Sequence, residues 1–476
     1  MTSHRSRTLK RLRIVSQGLF FGLFVYVFAR SLDPFHPAEN PFLRFDFLIF
    51  LTHLRFQLRL VLPMAGIVLL TLTVGRYFCG WVCPLGTLID LADLIFSPVR
   101  KRNPITGWRK AFGRVFAASP PSWFILGASL AAMFFTVPVL QFFHPNVWIV
   151  RIFSLSAPGI AFGGLLLLFA IFARRFWCAY LCPLGAFYGL LGKLSLFRLG
   201  IAECSRCGRC RSCPMDAANY ERKKIVDHQC ILCFDFEERC PAEGFRFGLR
   251  RRPAQPAQRI SSVTPVSGGL GESRRRFLRR GAVFLGGLAL GSTLPAFART
   301  IRTPLLRPPG VVNEKSFVGR CLRCLQCVRS CPNKIIKSTG IGTILDLGAG
   351  LGSLFTPHIE FNELGCDYHC QVCQRVCPNY AIPLQTLEEK QKAKIGLASI
   401  NERLCVVFAL NTNCLVCEEF CPTPEKAIKL VDKTIIVNGG PLLLRYPVVD
   451  SPLCIGCGMC EGNCPVDQKA IRVHKT

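Results

Sequence analysis

The chain is poor in acid. Its 476 residues hold 29 Asp and Glu against 59 Lys and Arg, and only 18% are charged, where a soluble domain carries about 25%. With 50% of residues hydrophobic and a mean hydropathy of +0.33, that shortage excludes a wholly soluble or a disordered protein. Histidine is scarce too, at 8 residues. No nucleophile and base pair, phosphate-cradling glycine loop or open metal site is legible, so a substrate-transforming enzyme is disfavoured. The net charge of +30 does not mark a nucleic-acid binder. Arg and Lys stand beside apolar runs, as they do where membrane proteins hold their cytoplasmic loops in place. The length is a prior for about three domains.

What the sequence has in quantity is cysteine, 27 in all. That is too sparse for a short disulfide scaffold, odd in number, and far above what core packing uses. Eight of them (Cys83, Cys182, Cys213, Cys240, Cys331, Cys377, Cys421 and Cys464) are followed by Pro. In bacterial ferredoxins the run C-x2-C-x2-C-x3-C-P holds 4Fe-4S clusters: three close thiolates take three irons, and the fourth Cys reaches across to the partner cluster. Two runs match fully, Cys321/Cys324/Cys327/Cys331 and Cys454/Cys457/Cys460/Cys464. Two more have a stretched first spacing, Cys366/Cys370/Cys373/Cys377 and Cys405/Cys414/Cys417/Cys421. Their Cys-Pro pairs recur 46, 44 and 43 residues apart, each followed closely by Ile335-Ile336 or by an Ala-Ile pair ending in Ile382, Ile428 or Ile471. This is an internal repeat, and its sixteen thiolates supply four clusters. Structural zinc also uses paired C-x2-C, but needs neither the third cysteine nor the Cys-Pro. Ligand sharing stays open; a nested arrangement would pair the first run with the fourth and the second with the third.

An earlier pair of runs is degraded. Cys204/Cys207/Cys210/Cys213 has its last spacing shortened, and Cys230/Cys233/Cys240 has Phe236 where the third thiolate belongs. If Cys204, Cys207, Cys210 and Cys240 hold one cluster, Cys213, Cys230 and Cys233 are left for a second, three-iron or atypically ligated, with Asp235 nearby. One or two clusters are expected here, and two is the favoured number.

Four apolar segments, at about 12–29, 58–78, 123–143 and 158–173, approach the ~20 residues that span a bilayer. Basic residues before the first and between the second and third place the N-terminus in the cytoplasm. The second and fourth segments end alike, Arg76-Tyr-Phe-Cys79-Gly-Trp-Val-Cys83-Pro and Arg175-Phe-Trp-Cys178-Ala-Tyr-Leu-Cys182-Pro, and the first and third are each followed by Phe-His-Pro, at His36 and His144. The membrane region is two copies of one hairpin. Cysteines four apart share a helix face, so two such pairs offer four thiolates at the cytoplasmic boundary. Cluster ligand, redox thiol and inert packing all stay open for them. His36 and His144 are expected on the outer face, where an imidazole suits the protons a quinol releases; Asp33 is a weaker candidate.

Residues 253–272 read as a linker. Ser273-Arg274-Arg275-Arg276-Phe277-Leu278 then opens a short apolar run that closes on Ala296-Phe297-Ala298. Twin arginines, a mild apolar stretch and an A-x-A end are the parts of a Tat-type signal, a route that exports folded protein. Clusters inserted in a reducing cytoplasm need such a route, since bare thiols would oxidise outside.

Together these motifs resemble the ferredoxin-type accessory proteins of periplasmic nitrate reductase and of methylamine utilisation. Residues 1–250 are similar to the NapH/MauN membrane component, and residues 273 to about 470 to the NapG/MauM polyferredoxin, as in a fusion of the two. The resemblance implies quinol oxidation and electron delivery to a periplasmic reductase or its cytochrome, with a maturation or reactivation factor for a periplasmic metalloenzyme as the alternative. The expectation is a multi-domain α+β protein of the bacterial inner membrane. It has a four-helix transmembrane domain (1–200) with two CxxxCP motifs, a cytoplasmic ferredoxin pair (201–250), a linker (251–272), a Tat-type internal signal or anchor helix (273–298), and a four-cluster periplasmic domain (299–476). Its expected partners are the membrane, the quinone pool, the Tat translocase and the periplasmic acceptor.

Overall fold

A computed structural model describes residues 3–31, 33, 41–44, 58–102, 121–134, 142–172, 175–201, 213–215, 217–219, 224–235, 245–249, 270–298, 305–347, 349–437 and 440–475. The chain divides into two compact units, the first made of residues 1–26 and 41–295 and the second of 27–40 and 296–476.

In the first unit the first hairpin copy runs α1 (Ser3–Ser31), short α2 (Pro41–Arg44), α3 (Leu58–Val74), α4 (Tyr77–Trp81) and α5 (Pro84–Arg102). The second runs α6 (Pro121–Phe134), α7 (Pro145–Phe153), α8 (Ala157–Phe172), a π-helical turn (Trp177–Leu181) and α9 (Pro183–Gly192). In both copies the Pro after the second cysteine starts a new helix, where its missing N–H costs nothing. Among the described residues only 7–31 form a straight helix long and apolar enough to cross a bilayer; α7 and α8 pass together, but bent by 111°. Leu62–Val74 and Pro121–Ala131 are shorter apolar helices.

Two small antiparallel ladders follow, β1 (Phe197–Ile201) with β4 (Phe245–Leu249) and β2 (Ala218–Asn219) with β3 (Lys224–Ile225). The signal-like segment is one helix, α10 (Leu270–Ala298), and it lies against α6 at glycines. A Cβ on Gly287 would stand 2.2 Å from the Phe124 carbonyl oxygen, one on Gly291 2.4 Å from that of Ala128, and one on Gly127 2.3 Å from that of Phe284. Small residues four apart let backbones approach this closely, the usual device of helix pairs in lipid.

The second unit is a chain of short elements around buried cysteines. Its helices are α11 (Glu314–Arg320), α12 (Gln326–Ser330), α13 (Ile341–Leu347), α14 (Val372–Arg375), α15 (Leu387–Lys392), α16 (Val406–Ala409), α17 (Val416–Glu419) and α18 (Met459–Gly462). Its antiparallel ladders are β5 (Ile336–Ser338) with β6 (Pro357–Ile359), β7 (Leu397–Ile400) with β10 (Ile471–His474), and the long hairpin β8 (Ile428–Val437) with β9 (Gly440–Val449). The repeated apolar pairs after each Cys-Pro now have a physical reason. Ile335, Ile336, Ile382, Ile428 and Ile471 are all core residues packed with the cysteines, each contributing about 1.5–3 kcal/mol by burial.

Candidate iron-sulfur sites

In the first unit Cys79, Cys83, Cys178 and Cys182 line one cavity. The first pair is carried by α4 and its end, the second by the π-helical turn, a distortion that recurs at functional sites. Cys182 caps α9, its sulfur accepting the Gly185 N–H at 3.3 Å.

Two arginines brace the cavity reciprocally. Arg76, three residues before Cys79, donates to the carbonyl of Cys178 at 3.3 Å, to that of His228 at 3.0 Å, and faces the Cys79 sulfur at 4.0 Å. Arg175, three residues before Cys178, donates to the carbonyl of Cys79 at 3.0 Å and clamps Asp90 at 2.8 and 2.6 Å. Each copy's arginine thus holds the first cysteine of the other copy. Both are buried, and so is Arg13 of α1, which donates to the Gly80 carbonyl at 3.0 Å and to Asp90 at 2.5 Å. In the sequence the signal for Arg76 and Arg175 is their shared offset, three residues before the first cysteine of each CxxxCP motif.

His36 lies outside the described residues. His144, expected on the outer face, is fully buried at the N-terminus of α7, and its neighbour Pro145 lines the four-cysteine cavity. Asp33 pairs with Arg30 at 3.3 Å.

Segment 228–235 sits on the same motif. Trp81 donates its indole N–H to the Leu232 carbonyl at 3.1 Å, and a Cβ on Gly80 would meet the Ile231 carbonyl oxygen at 2.2 Å. Here Cys213, Cys230 and Cys233 come together. Burial pushes the Cys233 thiol up to about 12, with Asp235 and Cys213 adding to the rise; Cys230 rises for the same reason, with Cys233 and Cys213 beside it. Cys204, Cys207, Cys210 and Cys240 lie outside the described residues.

In the second unit the four runs are not nested. Cys405, Cys414, Cys417 and Cys464 line one cavity, and Cys421, Cys454, Cys457 and Cys460 another. The third and fourth runs therefore exchange their last cysteines. The first two do likewise: burial raises the Cys373 thiol, and Cys366, Cys370 and Cys331 beside it add to the rise, while Cys327 has Cys324, Cys321 and Cys377 around it. The reason lies in the ladders, since β5 with β6 closes the first pair of runs and β7 with β10 the second. The two pairs meet where the Cys366 N–H donates to the Cys457 carbonyl at 2.7 Å.

The loops share a backbone. Gly456 and Gly458, flanking Cys457, have φ of +67° and +74°. Arg323 and Leu325 flank Cys324 with 55° and 63°, and Leu232 and Phe234 flank Cys233 with 53° and 57°. Left-handed backbone at non-glycine residues costs about 1–2 kcal/mol each, the kind of strain that collects at functional sites. It lets the loop curl around its contents. Amide donors meet sulfur there, Arg323 N–H to Cys321 at 3.4 Å and, at the degraded run, Ala217 N–H to Cys213 at 3.4 Å. Among the described residues no three His, Cys, Asp or Glu converge closely enough for a single metal ion. The donor sets are instead four soft thiols around a cavity, which fits a 4Fe-4S cluster.

These sites define an iron-sulfur protein of ferredoxin type. A 4Fe-4S binding domain family matches residues 56–103 and 155–202, one CxxxCP motif in each stretch. The ferredoxin-type protein NapG of Escherichia coli (strain K12) is 35% identical over 190 residues, 39% of this chain and 78% of its own length. The methylamine utilization ferredoxin-type protein MauN of Methylorubrum extorquens is 32% identical over 209 residues, 41% of this chain and 70% of its own. NapH of Haemophilus influenzae is 27% identical over 266 residues, 51% of this chain and 88% of its own. No solved structure matches. The chain belongs to the Nap and Mau ferredoxin-type proteins, and it matches both types, each over part of its length.

Proposed function

We propose that the chain is an inner-membrane quinol-oxidising conduit that delivers electrons to a periplasmic redox enzyme or its cytochrome partner. The observation that carries this is the single cavity lined by both CxxxCP motifs, with buried arginines around it and Pro145, the neighbour of buried His144, at its wall. The ligand sets we assign are Cys79/Cys83/Cys178/Cys182; Cys204/Cys207/Cys210/Cys240; Cys213/Cys230/Cys233 with Asp235; Cys321/Cys324/Cys327/Cys377; Cys366/Cys370/Cys373/Cys331; Cys405/Cys414/Cys417/Cys464; and Cys454/Cys457/Cys460/Cys421. Bound there, 4Fe-4S clusters supply one-electron carriers. The quinol loses two electrons, one at a time, and two protons, and becomes quinone. His144 takes one proton at its imidazole, the other passes to solvent water, and a periplasmic acceptor takes the two electrons. The buried thiols carry their protons until iron arrives and release them on ligation.

In this reading α1, α3, α6 and α8 are the spans, with the N-terminus in the cytoplasm. Helix α10 is a Tat-type signal that stays as an anchor, because its glycines are packed against α6. The test is an iron and acid-labile sulfide count on anaerobically purified protein, with EPR before and after a reduced quinol analogue. Six or seven clusters, some reduced by the quinol, are expected. Zinc in place of iron would overturn the reading at its base, and full clusters that ignore quinol would replace it with reductant supply to a maturing metalloenzyme.

A further inference from the structure

Charge around the four-cysteine cavity does not balance. Arg13, Arg76 and Arg175 are all buried there. The carboxylates facing them are Asp90, bonded to Arg13 and Arg175, and Asp235, 3.9 Å from Arg13. Arg76 has no carboxylate partner among the described residues. It donates to two carbonyls, its Nε has no hydrogen-bond partner, and its guanidinium faces the Cys79 sulfur. A buried cation without an anion costs several kcal/mol, so its presence calls for negative charge in the cavity. Four thiolates around an oxidised 4Fe-4S core carry a net charge of −2, and one electron makes that −3.

We propose that Arg76, held in place by its bonds across the pseudo-twofold, is a positioning residue that raises the potential of the four-cysteine site and so lets quinol reduce it. This rests on the cluster reading of the CxxxCP motifs. A fixed positive charge favours the more negative, reduced state, and net charge and bonding at sulfur are the terms by which a protein tunes such a site. Arg175 acts in the same direction, but Asp90 neutralises it in part. Arg76 is therefore the more effective of the two and the cleaner one to change, since no ion pair is broken with it.

The experiment compares the wild-type chain with Arg76→Gln, Arg76→Lys and Cys79→Ser/Cys178→Ser, all purified anaerobically, by iron count and EPR-monitored redox titration. The signal that disappears in the double cysteine variant identifies the site. In Arg76→Gln that signal is expected to keep its intensity and lose at least tenfold in its equilibrium constant for reduction, a potential lower by about 59 mV for one electron. Arg76→Lys is expected to recover most of the shift, because it restores the charge. An unchanged potential in Arg76→Gln at full iron content overturns the proposal, and so does the same downward shift in both Arg76 variants. If the double cysteine variant loses no iron and no signal, the cluster reading itself has failed, which is a separate result from a failed Arg76 effect.

Discussion

Asp90 is the keystone of the polar group beneath the four-cysteine cavity, and replacing it with Asn gives a calculable outcome. Its carboxylate accepts from Arg175 at 2.8 and 2.6 Å, from Arg13 at 2.5 Å and from Gln17 at 3.0 Å. The side chains of Arg175 and Arg13 are 0% and 5% exposed. Asn keeps one acceptor but removes the charge and points an amide donor at a guanidinium. Breaking one partner out of a buried pair costs about 3–5 kcal/mol. At roughly 2–4 °C per kcal/mol for a unit of this size, the apparent unfolding midpoint in detergent should fall by about 6–20 °C, read by differential scanning fluorimetry. An Asp90→Asn/Arg175→Gln double variant should lose less than the sum of its singles, because the second change removes the stranded charge. The pH dependence has a definite sign. Burial alone would raise the Asp90 carboxyl, but Arg175 and Arg13 outweigh it and hold it well below the usual carboxylate range. Its stabilisation is thus complete above the unfolded value of about 3.9 and is lost only as pH falls through the lower folded value, so the Asp90 contribution is flat from pH 5 to 8. A drop of less than about 2 °C in Asp90→Asn would refute the ion-pair reasoning.

Two further substitutions test the packing. Gly458→Ala combines φ of +74° with a Cβ 2.3 Å from the Phe361 ring, so about 1–2 kcal/mol of backbone strain adds to about 1–3 of overpacking; the expected result is a lower melting midpoint and loss of one cluster's iron by elemental analysis. Gly287→Leu, whose side chain would start 2.2 Å from the Phe124 carbonyl oxygen, should lower the detergent melting midpoint by several degrees, while Gly286→Leu, which meets nothing within 4 Å, should leave it unchanged.

The sequence was most informative where chemistry sits in residue type and spacing. The sixteen cysteines of the second unit and the buried Ile after each Cys-Pro follow directly from the repeat, and the duplicated CxxxCP words put four thiols at one cavity by symmetry alone. Which runs exchange their last cysteines was not legible. It depends on which short strands pair, and strands of three or four residues carry too little pattern to read. The position of His144 was lost for a different reason. Residues 144–157 fall between the third and fourth apolar segments and read as a loop, whereas nine of them form α7, whose N-terminus buries the histidine.

The degraded run at 230–235 shows that backbone and ligand set can be retained separately. Leu232 and Phe234 keep the left-handed conformations of an intact run although Phe236 has displaced the third cysteine, and neither is glycine, so the strain of about 1–2 kcal/mol per residue has to be offset locally. Part of the offset is visible. The Leu232 carbonyl receives the Trp81 indole, the Phe234 ring meets that of Trp81 at 6.5 Å, and the Ile231 carbonyl packs on Gly80. All three contacts fall on the residues between Cys79 and Cys83. The curled loop therefore closes the floor of the CxxxCP motif whether or not it also holds iron, and a strand-like relaxation of Leu232 and Phe234 would open that floor. The third cysteine can be absent from such a loop while its contacts with Gly80 and Trp81 remain, whereas relaxing the curl removes them.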